Sequence, residues 1–133
     1  MPKVKINNTQ GLVQETGGGI ALFGATQSIT ANATASSAAI LSTTSVALCD
    51  SANDAHKVQL PATSGLSTGH TVIVANIDSA QDFVLEKQAS GDRINAVDGA
   101  VTLGQSTVAF CVYSGAADPG WIITVGDQAT VPA

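Results

Sequence analysis

Along this chain apolar and polar residues alternate with a period of two at several places, whereas the 3.6-residue period of an amphipathic helix hardly occurs. Val4 and Ile6 alternate with Lys3 and Lys5, Val46 and Leu48 with Ser45 and Ala47, and Val58 and Leu60 with Lys57 and Gln59. Successive side chains of a strand point to opposite faces, so each stretch reads as a half-buried strand. Residues 71–75 and 106–113 are apolar on both faces, the pattern of a central strand covered on each side. Phe83 and Leu85 lie between Asp82 and Glu86, and residues 121–125 make the last strand. Segments 64–69, 76–79, 90–92, 97–99 and 116–120 carry the Gly, Pro, Asn and Asp of turns. Strands at 8–12-residue spacing joined by such turns predict an all-β fold, a single antiparallel β-sandwich or jelly-roll-like domain. Within it Tyr113 and Trp121 face each other across the turn at 114–120, as the two strands of one hairpin place them.

The N-terminal part has a different texture. Residues 10–24 hold five glycines around Leu12, Val13, Ile20, Leu22 and Phe23, and residues 26–45 are almost all Ala, Ser and Thr. Residues 1–24 read either as a leader or as an extended arm that docks on a neighbour, with the sandwich domain over 25–133. The number of large apolar residues favours the arm, because a strand with few contacts of its own does not offset its ordering entropy. Its candidate interface residues are Val4, Ile6, Leu12, Val13, Ile20, Leu22 and Phe23. The last residues, 128–133, read as a frayed tail.

The composition narrows the class. The chain has 133 residues, enough for one domain, and only 11% of them are charged. Small residues fill the gap, with 21 Ala, 14 Thr, 13 Gly and 12 Ser. A surface so poor in charge predicts that part of it is covered by something else. Five basic against ten acidic residues leave no stripe to neutralise phosphates, so nucleic acid is not an expected partner. No apolar run approaches the ~18 residues of a membrane span, and no apolar stretch follows the basic start as a secretory signal needs. A chain soluble when made, with no membrane partner, is the expectation.

The residue types that carry chemistry are few. Cys49 and Cys111 sit in apolar stretches and read as buried free thiols. His56 has Asp50, Asp54 and Cys49 nearby in sequence, yet residues 50–54 form a polar turn and no Gly-x-Ser-x-Gly elbow exists. His70 opens a strand after a Gly turn. Asp92, Asn95 and Asp98 fall at every third position, the wrong spacing for a calcium loop. Asp50, Asn53 and Asp54 fit Asx-turns better than a calcium site. Glu15, Glu86 and the aspartates offer no distinguished pair for sugar hydrolysis, and Gly17-Gly18-Gly19 lacks the Lys-Ser/Thr of a phosphate loop. Phe83, Phe110 and Trp121 fit core positions, leaving few aromatic platforms for sugars or single strands. No catalytic residue, metal site or cofactor is expected.

One order of motifs stands out over residues 56–125. It runs through Val58-Gln59-Leu60-Pro61, Gly65, Gly69, then His70 to Asn76, Phe83-Val84-Leu85, Ser90-Gly91-Asp92-Arg93-Ile94-Asn95, Val101-Thr102-Leu103, Ser106 to Phe110 and Gly120-Trp121-Ile122-Ile123. This order resembles a β-structural module of tailed-bacteriophage virion proteins, found in head decoration (cement) and head-fibre proteins and in parts of tail fibres. The resemblance implies a virion structural protein without an active site, commonly a homotrimer. Its partner would then be the major capsid protein, and it would be made in the host cytoplasm and reside on the capsid surface. The size suits a decoration protein that stabilises the icosahedral head, the alternative being a tail-fibre or receptor-binding tip module. Within the module, the Gly-Asp-Arg-Ile-Asn turn is expected to tuck Ile94 under it while Asp92 and Asn95 cap backbone amides.

Overall fold

β-Branched and aromatic residues dominate the segments that become extended, as in Thr-Val-Ile-Val-Ala-Asn and Thr-Val-Ala-Phe-Cys-Val-Tyr. The computed structural model describes residues 3–9, 11–16 and 25–128. Ile20, Leu22 and Phe23 lie outside the described residues, and for Val4, Leu12 and Val13 only the backbone is described. Ten strands are formed by these residues: β1 (Lys3–Asn7), β2 (Gly11–Thr16), β3 (Ala25–Thr30), β4 (Thr44–Asp50), β5 (Lys57–Gln59), β6 (Thr71–Asn76), β7 (Phe83–Glu86), β8 (Val101–Leu103), β9 (Thr107–Tyr113) and β10 (Trp121–Asp127). A single 3-10 turn (Ala35–Ala38) is the helical element among the described residues.

The all-β sandwich expected from the periodicity is present. A five-stranded sheet in the order β10-β9-β6-β4-β3 packs on a three-stranded sheet in the order β5-β7-β8, and β1 and β2 pair as a two-stranded sheet of their own. The sheets are mixed, however, where antiparallel ones were expected: β3/β4, β4/β6 and β5/β7 are parallel. The reason is the path of the chain. After β3 it runs along the edge of the small sheet, where Asn32 exchanges backbone hydrogen bonds with Lys57 (3.0 and 2.8 Å) and the Ile40 amide donates to Gln59 O (2.8 Å). It then alternates, with β4 in the large sheet, β5 in the small one, β6 in the large one and β7 in the small one. A chain that leaves a sheet and returns through the opposite layer arrives in its original direction, and such crossovers need a dozen residues or more. After β7 the pairs formed are antiparallel: β7/β8 across residues 87–100, β6/β9, and β9/β10 across the turn at 114–120.

The core lies between the two layers, and the sheets contribute to it unequally. From the small sheet and the segment after it come Val58, Leu60, Phe83, Leu85 and Leu103, all essentially inaccessible. From the large sheet come Ala47, Cys49, Val72, Val74, Ala109, Cys111 and, near one end, Tyr113, Trp121 and Ile123. Layers about 10 Å apart leave a fixed gap, so long side chains from one sheet require short ones opposite. This complementarity corrects the sequence reading of β4: Ala47 and Cys49 face the core, while Val46 and Leu48 lie half-buried on the other side. Phe110 likewise stands 51% exposed, on the outer face, where a core position was expected. Tyr113 and Trp121 do pair across the β9–β10 hairpin, their rings 5.6 Å apart.

Three residues of the motif order hold the layers in place. Asn76 ends β6 fully buried, its Nδ2 donating to the carbonyls of Gln81 (3.0 Å), Leu103 (3.1 Å) and Gly104 (3.1 Å) while its Oδ1 accepts from the Asp78 amide (3.0 Å). Asn95, at φ 50°, lays its side-chain amide along β10, accepting from Ile123 N (2.8 Å) and donating to Ile123 O (3.1 Å). Gly120, at φ +75°, sits so close to Arg93 that a Cβ would fall 2.0 Å from the Arg93 carbonyl oxygen. Ile94 is buried under the turn as expected. Asp92 is buried too, but its carboxylate accepts from the Thr63 hydroxyl (2.7 Å) in place of the expected backbone amide.

Candidate interaction surface

Most residues with catalytic or metal-binding chemistry are used by the fold, although the buried ring nitrogens His56 Nδ1 and His70 Nε2 have no hydrogen-bond partner among the described residues. Cys49 and Cys111 are free and buried. Burial pushes both thiols up to about 12, so they remain neutral and are poor nucleophiles at physiological pH. Asp50 accepts from its neighbour Ser51 N and Asn53 Oδ1 from Ala55 N (2.8 Å), local turn bonds, while Asp54 Oδ1 accepts from Asp82 N (2.9 Å), tying this turn to the segment before β7. His56 lies at the start of β5, in the opposite layer from Cys49 on β4. Of the Asp92, Asn95 and Asp98 set, the first two hold the turn and Asp98 is ion-paired with Lys87, which keeps its carboxyl below the usual range. Among the described residues no group of three or more His, Cys, Asp or Glu is placed to hold a metal. A shallow cleft lined by Glu86, Lys87, Asp98, Gly99 and Ala100 carries charges already paired, Lys87 with Asp98 and Glu86 with Lys57 (2.8 Å).

What the fold leaves unspent is the outer face of the five-stranded sheet. Strand register places the side chains across it in rows. One row crosses all five strands as Thr26, Val46, Ile73, Phe110 and Thr124, and the next as Ser28, Leu48, Ala75, Val108 and Gly126. At the other end of the strands Thr71, Val112 and Ile122 continue it. None of these thirteen residues is charged, but the row beyond Ser28 and Leu48 on the same face holds Thr30 and the exposed Asp50. Ile73, Phe110 and Ile122 are 36%, 51% and 42% exposed, and a shallow apolar depression opens between Ser45, Val46, Thr71, Ile73 and Phe110. β6 and β9, whose sequences are apolar on both sides, are thus fully covered on one face, while on the other Ile73 and Phe110 stand exposed, Val108 and Val112 are half-buried and Ala75 is buried.

Of the seven arm residues named from the sequence, Ile6 alone has a described side chain, and it is 82% exposed on β1. The sheet face was missed as a surface because its residues look like core in one dimension. The signal was present in the two-sided apolar pattern of 71–75 and 106–113. What defines the chain structurally is therefore a two-layer β-sandwich whose outer face presents exposed Ile73, Phe110 and Ile122, with Asp50 at one end. No family model matches the chain, and no curated protein matches it either.

Proposed function

We propose that this chain is a structural protein of a tailed-phage virion, decorating the icosahedral head by binding the major capsid protein and bridging neighbouring shell subunits. The observation that carries the reading is the outer sheet face, where Ile73, Phe110 and Ile122 stand exposed among uncharged neighbours, on a fold whose cysteines are buried in the core. Large exposed apolar surfaces mark proteins that work in assemblies. The resemblance of the 56–125 motif order to virion modules supplies the kind of assembly. Its conspicuous residues Asn76, Asn95 and Gly120 hold the sandwich together, which suits an architectural role.

The mechanism is thermodynamic. A ligand that binds only the assembled lattice stabilises it by RT ln(1 + [L]/Kd), and contacts to two adjacent subunits raise the effective affinity through avidity. The exposed Ile6 supports a role for the N-terminal segment as an arm laid over the shell. Quantitative mass spectrometry of purified particles, with the major capsid protein as internal standard, tests the reading. Copies in the hundreds per particle are expected. A dozen or so would assign the chain to the tail, and absence from the particle would end the virion reading altogether.

A further inference from the structure

We infer that the outer face of the five-stranded sheet docks an extended segment of a partner protein, one that carries a large apolar residue and, four residues further on, a lysine or arginine. The inference rests on the assembly reading above and gives the chemistry of the segment that the shell protein would bring to this face.

The first argument is the relief of the face along β6. Its outward positions are Thr71, Ile73 and Ala75, and the chain continues to Ile77, 55% exposed, whose amide donates to Cys49 O (2.8 Å). At Ile73 the depression beside Val46 and Phe110 has a volume of about 380 Å³, room for one large apolar side chain. Two positions on, Ala75 is short and buried between Leu48 and Val108, so the surface stays low. The pair after Cys49 and Asn76 then brings Asp50 level with Ile77. Extended backbone matches this relief, because residues i, i+2 and i+4 of a strand share one face at the spacing of the positions beneath them.

The second argument is charge. The cations of the sandwich are each paired: Lys57 with Glu86, Lys87 with Asp98, and Arg93 with Asp118 (3.3 Å). Asp50, Asp54, Asp78, Asp82 and Asp127 have no ion-pair partner among the described residues, and all five stand at the end of the sandwich where β4, β6 and β10 finish and β7 begins. Asp50 belongs to the outer face itself. The carboxylate of Asp78 lies beside it, held ionised by the amides of Ala80 (2.6 Å) and Gln81 (2.8 Å). A basic side chain of a partner answers these two carboxylates, whereas anionic lipid headgroups and nucleic acid are repelled by them. The distance between the apolar and the acidic half sets the spacing. Val46, level with Ile73 and Phe110, is four residues from Asp50 on β4, about 13 Å at about 3.3 Å per residue, and an extended segment covers that distance from i to i+4.

A library of random dodecapeptides selected on the immobilised full chain tests the inference. Enrichment of sequences with an aromatic or branched aliphatic residue followed at i+4 by Lys or Arg is expected. The tightest of them, labelled with fluorescein, is expected to bind Asp50→Asn about fivefold more weakly and Phe110→Ser about tenfold more weakly than wild type. Both positions are exposed, so both variants are expected to keep the wild-type circular dichroism spectrum. In Asp50→Lys the preference should reverse, favouring the same peptide with Glu in place of its basic residue. Selection that yields no such pattern, or affinities unmoved by either substitution, overturns the proposal. So does a Phe110→Cys thiol that the chain alone, at micromolar concentration, protects from a maleimide, since a second copy would then be the occupant; Cys49 and Cys111 are buried and stay silent in that reaction. Copy number in purified particles is a separate measurement. Hundreds of copies without this selectivity would keep the decoration reading and discard the present one, and selectivity in a chain absent from particles would keep the segment's chemistry and discard the shell as its source.

Discussion

Gly120 joins the most recognisable turn of the sequence to the closing strand, and its replacement by alanine puts the joint to a quantitative test. Two separate costs arise. The residue has φ +75°, a region an L side chain enters at about 1–2 kcal/mol. In addition the new Cβ would lie 2.0 Å from Arg93 O and 2.7 Å from Arg93 C and N, contacts with backbone that has no side-chain freedom to yield. Relief requires 92–95 to move off β10, which strains the Trp121 N–Arg93 O (2.9 Å) and Asn95 N–Trp121 O (2.8 Å) bonds, each worth about 1 kcal/mol net. The total comes to about 3–4 kcal/mol, a large share of the 5–15 kcal/mol of a typical domain. Gly65 supplies the control: its φ is +83°, but nothing lies within 4 Å of the added Cβ, so Gly65→Ala incurs the backbone cost alone, about 1–2 kcal/mol. Urea unfolding followed by the fluorescence of Trp121, the sole tryptophan, and in parallel by circular dichroism measures both. If Gly120→Ala lowers stability no more than Gly65→Ala, the close approach to Arg93 does not hold the turn on β10.

Two further outcomes are expected from buried groups. Asn76→Asp turns the donor facing three carbonyls into an acceptor, so the variant is expected to lose about 3 kcal/mol at pH 7 and to recover part of it near pH 3, where a protonated carboxyl donates again. Thermal melts at the two pH values, each relative to wild type, check this, and a loss independent of pH would contradict it. The thiols of Cys49 and Cys111 are raised by burial from 9.0 to about 12, so the unfolded chain ionises first. Stability present below pH 9 should therefore fall by about 1.4 kcal/mol per pH unit per thiol up to pH 12, and Cys49→Ala with Cys111→Ala should remove that slope in chemical unfolding curves.

Strand positions were legible because period-two alternation reports one buried face directly, as Val58 with Leu60 and Phe83 with Leu85 do. The orientation of β4 was not, since Val46, Ala47, Leu48 and Cys49 are apolar on both sides. Which side turns inward is decided by volume: Phe83, Leu85 and Leu60 fill the gap from the opposite sheet, and Ala47 and Cys49 are what still fits. Topology escaped for another reason. Gly, Asn and Asp mark where the chain turns, but the same residues serve a hairpin and a crossing to the other layer. Parallel pairing of β3 with β4 and of β4 with β6 depends on that choice. The open face escaped because one-dimensional hydrophobicity does not distinguish a residue covered by its own chain from one left for another chain.

The same geometry bears on which surface can serve assembly. β10 is an edge of the five-stranded sheet, and an unpaired edge invites strand addition. Here half of it is already occupied. Arg93 and Asn95 pair with the backbone of Trp121, and the Asn95 side chain then imitates a further strand residue by bonding both the amide and the carbonyl of Ile123. A side-chain amide ends the ladder in a way a backbone would not, since it offers no next residue to continue the pairing. Pairing along β10 is thus suppressed at the very strand whose outer side chain Ile122 belongs to the apolar face. Closing this part of the edge leaves the side chains of the adjoining face more available for contact than the backbone of β10, whose unpaired groups would otherwise invite strand addition.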